Sequence, residues 1–352
     1  MSNSSLRFGV WAPVDANKSA QPGAPTPANF NQVRDFIVRA EELGFESTLL
    51  SLHTMKAGNP DIVEPWTAAA ALAAVTKRIE LIPAVKARLY HPVVLAKMML
   101  GIEDVSGGRI GINFVNSFIK AEIEQAGIPF DEHDDRYAYG TEWLHIVRSL
   151  ISGERVSFQG KHFEISDYAL RPASRYRDRP RIYSGGESEP GRALAANFSD
   201  GWFLQGQPVA DVKTLIDDME ARPRQAAAMR YLLSSYVIAR ETDDEAEDVL
   251  RDRLKLQEVT RGKTQNFLRD PARIDLKAVA FQRAALRGPV LGTGGGTGSR
   301  LVGSYETVAR RMQEFQEIGV TDFMLQFQPL EEIEIIAGEV IPRVRSLELQ
   351  AA

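Results

Sequence analysis

The chain has 352 residues, 44% of them hydrophobic and 25% charged, with a formal net charge of −5. This is an ordinary composition for a folded chain, and the mild negative balance argues against the basic stripe that nucleic-acid binding needs. There is no cysteine, which excludes disulfides and thiolate metal sites, and the five histidines form no H-E-x-x-H pattern, so no metal site is expected.

In chain order, "LRFGVWAP" reads as a strand stopped by Pro13. A polar, proline-rich loop follows. Val33, Phe36, Ile37, Ala40 and Leu43 then recur at helical spacing, with Gly44 placed to end the helix. "ESTLLSL" is a second strand and "EPWTAAAALAAVT" a second helix. "RIELIPAVK" is the third strand, and "PVVLAKMMLGIEDVS" a helix with Pro92 in its first turn. "GRIGINFVN" is the fourth strand, followed by helix "TEWLHIVRSLI" with Trp143, Ile146, Val147 and Leu150 on one face. Strands "PRIYSGG" and "DGWFLQG" flank helix "PGRALAANF". Strand "RYLLSSYVIARE" leads to the charged helix "DDEAEDVLRDRLKLQ", and helix "SYETVARRMQEFQEIG", strand "TDFMLQFQ" and helix "LEEIEIIAGEVIPRVRS" close the chain.

Eight strands each followed by a helix imply a parallel sheet, and this length suits a closed (β/α)8 TIM barrel better than an open sheet. We expect one barrel domain over residues 1–352 with two long insertions, about 153–180 and about 258–303. The apolar run "AAAALAAV" is far too short to span a bilayer, and "MSNSSLRFGV" lacks the features of a signal peptide, so a cytoplasmic enzyme is expected.

Several stretches are suited to chemistry. In "RIYSGGESEPGRALA" a strand ends at two glycines, Ser188 sits at an N-cap position and Pro190 in the first turn. The free N–H groups there favour an anion such as a phosphate at Gly186 and Ser188, although an ordinary capped turn would look the same. Asn113 and Asn116 lie at the C-terminal end of strand four, where barrel active sites form, and can donate to an oxygen of a cofactor or substrate. His53 and Thr54 follow strand two; a lone histidine there is often merely structural. "EHDDRY" offers Asp134 or Asp135 as a helix cap and Arg136 as a planar fork for an anion. "PVLGTGGGTGSRLVG" matches neither a P-loop, for want of a lysine after the glycines, nor G-x-G-x-x-G. A flexible lid and a plain linker both remain open for it.

Taken together, "GRIGINFVNSFIKAEIEQAGI", "DEHDDRY", "FQGKHFEI", "PRIYSGGES" and "LVGSYETVARRMQEFQEIGVTDFMLQF" resemble the bacterial-luciferase-like flavin monooxygenases, in the branch of the alkanesulfonate monooxygenases and pyrimidine oxygenases. The resemblance runs from about residue 6 to about 345. It implies a TIM barrel that receives reduced FMN from a separate NAD(P)H-dependent flavin reductase and uses O2 to oxidise or cleave a carbon–heteroatom bond (C–N, C–S or C–halogen) of a small molecule. By the same resemblance the flavin contacts fall on His53, Thr54, Asn113, Glu122, Arg136, Tyr137 and Ser188, with Gly186 beside them. Asn113, His53 and Asn116 are the implied catalytic residues, and Trp11, Ala84, Phe118, Tyr236 and Phe327 the implied substrate pocket. By the resemblance Ser234 stands where the sulfonate enzymes carry one arginine, a second arginine of theirs falls near Gly294, Tyr236 stands where they carry a histidine, and Ala84 where the pyrimidine oxygenase has a threonine. These departures point to a neutral or weakly polar substrate. The glycine run corresponds to a mobile lid in the sulfonate branch. The resemblance further implies a homodimer or homotetramer paired through the helices after strands two and three. A deazaflavin-dependent dehydrogenase and a non-catalytic flavin-binding protein are the competing readings.

Overall fold

The eight expected strands close on one another. They are β1 (Arg7–Trp11), β2 (Ser47–Leu50), β3 (Glu80–Val85), β4 (Gly111–Phe114), β7 (Arg181–Gly185), β8 (Gly201–Leu204), β9 (Arg230–Tyr236) and β12 (Asp322–Gln326). In this computed structural model all of them pair in parallel, in the order β1-β12-β9-β8-β7-β4-β3-β2 and back to β1. Residues 5–15, 28–54, 61–224, 228–270, 272–275, 277, 290–292 and 294–351 are described. No helix among them is long and apolar enough to cross a membrane.

The helices lie where the apolar spacing put them. α1 (Phe30–Glu42) buries Val33, Phe36, Ile37 and Ala40, and its N-cap Asn29 accepts from the Gln32 N–H. α2 (Pro65–Val75) starts on a proline, with the Glu64 carboxylate accepting from the N–H groups of Trp66 and Thr67. α3 (Pro92–Ser106) also begins on a proline and stops at Gly107 in the left-handed region. A short α4 (Lys120–Glu124) follows β4, and α5 (His133–Ile151) buries Trp143, Ile146, Val147 and Leu150. Asp134 and Asp135 fall inside its first turn rather than at its cap, which is Glu132. α6 (Glu189–Phe198), α7 (Val209–Glu220), α9 (Tyr305–Glu317), the short α10 (Glu332–Ile335) and α11 (Ile341–Ala351) complete the outer layer.

Both insertions hold more structure than expected. Residues 155–169 form an antiparallel hairpin, β5 (Arg155–Gln159) with β6 (Glu164–Ala169). The charged helix, α8 (Asp243–Arg269), continues well past the point where its sequence pattern fades. The chain beyond it returns along the mouth of the barrel, where the Ala121 N–H donates to the Arg273 carbonyl at 3.1 Å and the Asp275 N–H to the Phe118 carbonyl at 2.8 Å. Past β9 the chain leaves the barrel as β10 (Ile238–Arg240), which pairs with β11 (Val302–Ser304) just after the glycine run.

Side chains alternate along each strand, so half of them fill the barrel. Leu49, Ile82, Tyr183, Phe203, Leu232 and Met324 form an interior cluster distinct from the core between barrel and helices, with Trp11 packed against it. Gly111 and Gly201 make room for the Tyr183 ring: a Cβ at either would lie within 3 Å of it. At the N-terminal end the barrel is plugged by charge. Arg230 pairs with Asp322, its Nη1 donates to the Tyr183 hydroxyl at 2.5 Å and reaches Glu80 at 3.3 Å, and Glu80 also accepts from Arg181 and Tyr183. Burial opposes ionisation of Glu80, but Arg230 and Arg181 outweigh it and hold the carboxyl below its ordinary range.

Candidate active site

The C-terminal ends of the strands carry the other polar concentration. After β2, β3 and β4 the chain brings His53, Thr54, Lys86 and Glu122 together. The Glu122 Oε1 accepts from the Thr54 N–H at 2.7 Å and from its hydroxyl at 3.3 Å. The other oxygen, Oε2, lies 2.5 Å from Lys86 Nζ and 3.3 Å from His53 Nδ1. Burial alone would raise the Glu122 carboxyl. The His53 hydrogen bond, with the charges of Lys86 and His53, overrides it and holds the group at about 2.

Beside this cluster stand amides and a hydroxyl with unused capacity. Asn113 Oδ1, Asn116 Nδ2 and Ser117 Oγ are shielded from solvent and have no hydrogen-bond partner among the described residues. Such atoms cost free energy unless something meets them. They sit at the strand tips, where a bound molecule would supply the missing partner.

A second polar cluster lies at the end of β7, the strand that pairs with β4. Ser188 caps α6, accepting from the Gly191 N–H, and its hydroxyl donates to the Tyr137 oxygen at 3.0 Å. Gly186 has φ +117°, and a Cβ there would stand 3.2 Å from the Tyr137 hydroxyl. The Trp202 indole holds the Gly186 carbonyl at 3.1 Å. Burial raises the Tyr137 phenol, so it stays protonated and able to donate. The result is a narrow cradle of N–H and O–H groups at a helix start, suited to an anion. Arg136 stands next to it with its fork engaged: Nη1 donates to the Asp131 carbonyl at 2.7 Å, Nη2 pairs with Asp275, and the guanidinium lies 4.1 Å from the centre of the Phe130 ring. Arg136 therefore ties the second insertion to α5, and the anion-binding groups nearest to it are those of Tyr137, Ser188 and Gly186.

The far side of the mouth is small and neutral. The indole N–H of Trp11 and the Gln326 amide both donate to the Ser234 hydroxyl oxygen, each at 3.1 Å. Over them lies the glycine run. Gly294 has φ +60°, and a Cβ on it would come within 2.7 Å of Ser234 Oγ and 3.4 Å of Trp11. The Gly206 N–H donates to the Gly294 carbonyl at 2.8 Å, and residues 296–299 make one 3-10 turn against the barrel. The run is therefore packed across the strand ends among its described residues; Pro289 and Thr293 lie outside them. Tyr236 is buried beside Gly292, and Ala84 lies at the end of β3 with its carbonyl bonded to the Trp66 indole. Phe118 is half-buried where the returning insertion crosses the mouth.

One expected pocket residue is elsewhere. Phe327 is one position beyond Gln326, so the strand alternation turns it out of the barrel, and it packs on Phe36 of α1 with ring centres 6.0 Å apart. Lys86, in turn, escaped the sequence reading. A lysine closing the apolar strand "LIPAV" was its one visible signal. No group of side chains suited to a metal occurs among the described residues.

Comparison with known proteins agrees with this architecture. The chain is 29% identical to an FMNH2-dependent dimethylsulfone monooxygenase of Pseudomonas putida, over 97% of this chain and 96% of that one. Its structure resembles a riboflavin lyase crystallised with modified FMN and riboflavin, at TM-score 0.81 and 21% identity over 98% of this chain and 92% of that one. It also resembles the EDTA monooxygenase of Chelativorans sp. BNC1, at TM-score 0.75 and 18% identity over 98% and 94%. The profile of the luciferase-like monooxygenases matches residues 6–322. With a closed parallel barrel, polar strand tips and a match across most of its length, the chain belongs to the luciferase-like monooxygenase family.

Proposed function

We propose that this protein is the oxygenase of a two-component system, taking reduced FMN from a separate NAD(P)H-dependent flavin reductase and using O2 to oxidise a small, neutral organic substrate at a carbon–heteroatom bond. The observation that carries the reading is the set of buried atoms on Asn113, Asn116 and Ser117 that have no hydrogen-bond partner among the described residues, beside an anion cradle suited to one end of a ligand. A flavin mononucleotide is bipolar in the same way, with a ring edge rich in carbonyl and N–H groups and a phosphate at the far end of its tail. The dimethylsulfone monooxygenase among its relatives supports both the cofactor and a compact uncharged substrate.

Reduced FMN, when bound, supplies the electrons that activate oxygen. The protein's own contributions are positional. Asn113 and Asn116 hold the polar edge of the ring, and Tyr137, Ser188 and the Gly186 backbone hold the phosphate. His53 stands beside them with its Nδ1 against Glu122, a carboxylate that Thr54 in turn holds in place. Trp11, Ala84, Phe118 and Tyr236 shape the substrate space, and the glycine run roofs it against water. Position 234, where the sulfonate branch has one arginine, and Gly294, near which it has a second, lie against each other here as serine and glycine. Without those two cations this pocket has little for a sulfonate and suits an uncharged sulfone-like molecule. Val75, Val94 and Val105 are about half exposed on neighbouring faces of α2 and α3, the surface on which a second copy would pair.

Anaerobic calorimetry with FMNH2 tests the reading, followed by oxygen-uptake assays with a flavin reductase and dimethylsulfone or a related uncharged substrate. Association with reduced FMN and substrate-dependent oxidation are expected. Failure to bind reduced FMN sinks it; binding of a reduced deazaflavin instead, with hydride transfer and no oxygen uptake, replaces it with a dehydrogenase. Binding with no oxidation across a broad panel leaves a flavin-binding protein.

A further inference from the structure

Arg136 lies in the first turn of α5, one residue from the Tyr137 of the anion cradle, yet its fork is closed to a ligand. Nη1 donates to the Asp131 carbonyl at 2.7 Å and Nη2 pairs with Asp275, while Nε, shielded from solvent, has no partner among the described residues. The ion pair is buried from both sides, with 7% of the Arg136 side chain and 11% of the Asp275 side chain exposed. Asp275 comes from the second insertion and not from the barrel. Its N–H donates to the Phe118 carbonyl at 2.8 Å, and its other carboxylate oxygen accepts from the Lys277 N–H at 2.9 Å.

The cradle itself has a donor to spare. Ser188 and Tyr137 share one hydrogen bond at 3.0 Å, and the Ser188 oxygen also accepts from the Gly191 N–H. Two hydroxyls bring two protons to that one bond, so one proton is left over, and neither hydroxyl has another acceptor among the described residues. The pair Arg136 and Asp275 is close enough to be felt there. Burial raises the Tyr137 phenol and the Ser188 bond lowers it; of the charges, Arg136 favours the ionised form and Asp275 opposes it. A negative charge seated in the cradle meets the same two influences with the same signs, attraction from Arg136 and repulsion from Asp275.

We propose that Asp275 is an internal competitor for Arg136: its carboxylate occupies the guanidinium that an anion in the cradle would otherwise recruit, and so sets how tightly that anion is held. The inference rests on the anion cradle of the proposed function and adds what tunes it. The apparent Kd of the anion is the intrinsic one divided by the fraction of time the fork is free. By the same linkage, an anion that wins Arg136 weakens the tie between the insertion and α5 by an equal factor. A loose hold suits a cofactor that arrives from another protein and leaves again.

Isothermal calorimetry of the full-length protein with inorganic phosphate, and separately with FMN, tests the proposal. Asp275→Asn keeps the shape and the acceptor for the Lys277 N–H but removes the charge, and should tighten phosphate binding, and FMN binding, at least about fivefold. Asp275→Ala also removes the acceptor for Arg136 and should tighten them as much or more; if it fails to fold, Asp275→Asn decides alone. In an Arg136→Gln background the gain from Asp275→Asn should vanish, since no fork is left to release. Unchanged or weakened binding in the Asp275 variants, an equal gain without Arg136, or no binding of either ligand by any variant overturns the proposal. Tighter phosphate binding with no binding of FMN would leave it standing while removing the flavin reading, and FMN binding indifferent to Asp275 would do the reverse.

Discussion

The two ends of the barrel spend polar groups in opposite ways. At the N-terminal end Glu80, Tyr183, Arg181, Arg230 and Asp322 are buried and answer one another. At the C-terminal end Asn113, Asn116 and Ser117 are buried with atoms that answer nothing among the described residues. A closed network of that kind serves the fold. An open one is tolerated where a ligand completes it, so the asymmetry itself locates the site.

Breaking the closed end should produce the largest effect. Arg230→Ala strands the carboxylates of Asp322 and Glu80 inside the barrel, and a loss of about 3–5 kcal/mol in urea unfolding is expected. A loss near zero would remove the structural half of the contrast. The roof comes next. Gly294→Ala puts a Cβ against Ser234 at a left-handed φ, which costs about 1–2 kcal/mol. It should lift the run off the strand ends, seen as faster proteolysis between residues 290 and 300 and a fall in coupled oxygenation. Unchanged cleavage would mean that the run does not depend on this contact.

The open end should respond in the reverse sense. Asn113→Ala is expected to weaken reduced-FMN binding about five- to tenfold, the worth of one net hydrogen bond, with unfolding free energy unchanged or slightly raised. A stability loss as large as that of Arg230→Ala would mean that the amide belongs to the fold. The remaining effect is on pH. Glu122 titrates at about 2 in the folded protein, below the 4.5 ordinary for this group. Its folded pKa is depressed, so its contribution to stability is complete above about 4.5 and is lost as pH falls towards 2. Glu122→Gln should flatten the acid limb of a stability–pH curve in that window; an unaltered limb would show that the carboxylate is not held by Lys86 and His53.

Much of this was legible in one dimension. The short apolar runs of "RIELIPAVK" and "TDFMLQFQ" and the helical spacing of Val33, Phe36, Ile37 and Ala40 are local, because each signal is carried by residues close together in the chain. The Ser188 cap and the proline starts of α2 and α3 are equally local. The hairpin in the first insertion was harder to read because most of its residues face solvent on both sides. The far half of α8 carries little apolar period to announce it. Phe327 was misassigned since a single step past Gln326 reverses which side of the sheet a side chain occupies.

The amino-acid sequence by itself determined the alternation, the barrel class, and the polar residues at strand ends. Folding decided the pairings: Lys86 with Glu122, Arg136 with Asp275, Ser234 under Gly294, Arg230 across to Glu80. Those partners lie 36, 139, 60 and 150 positions apart. Hydrogen bonds and ion pairs act over a few ångströms, so contacts between residues so far apart along the chain exist only once the barrel has closed.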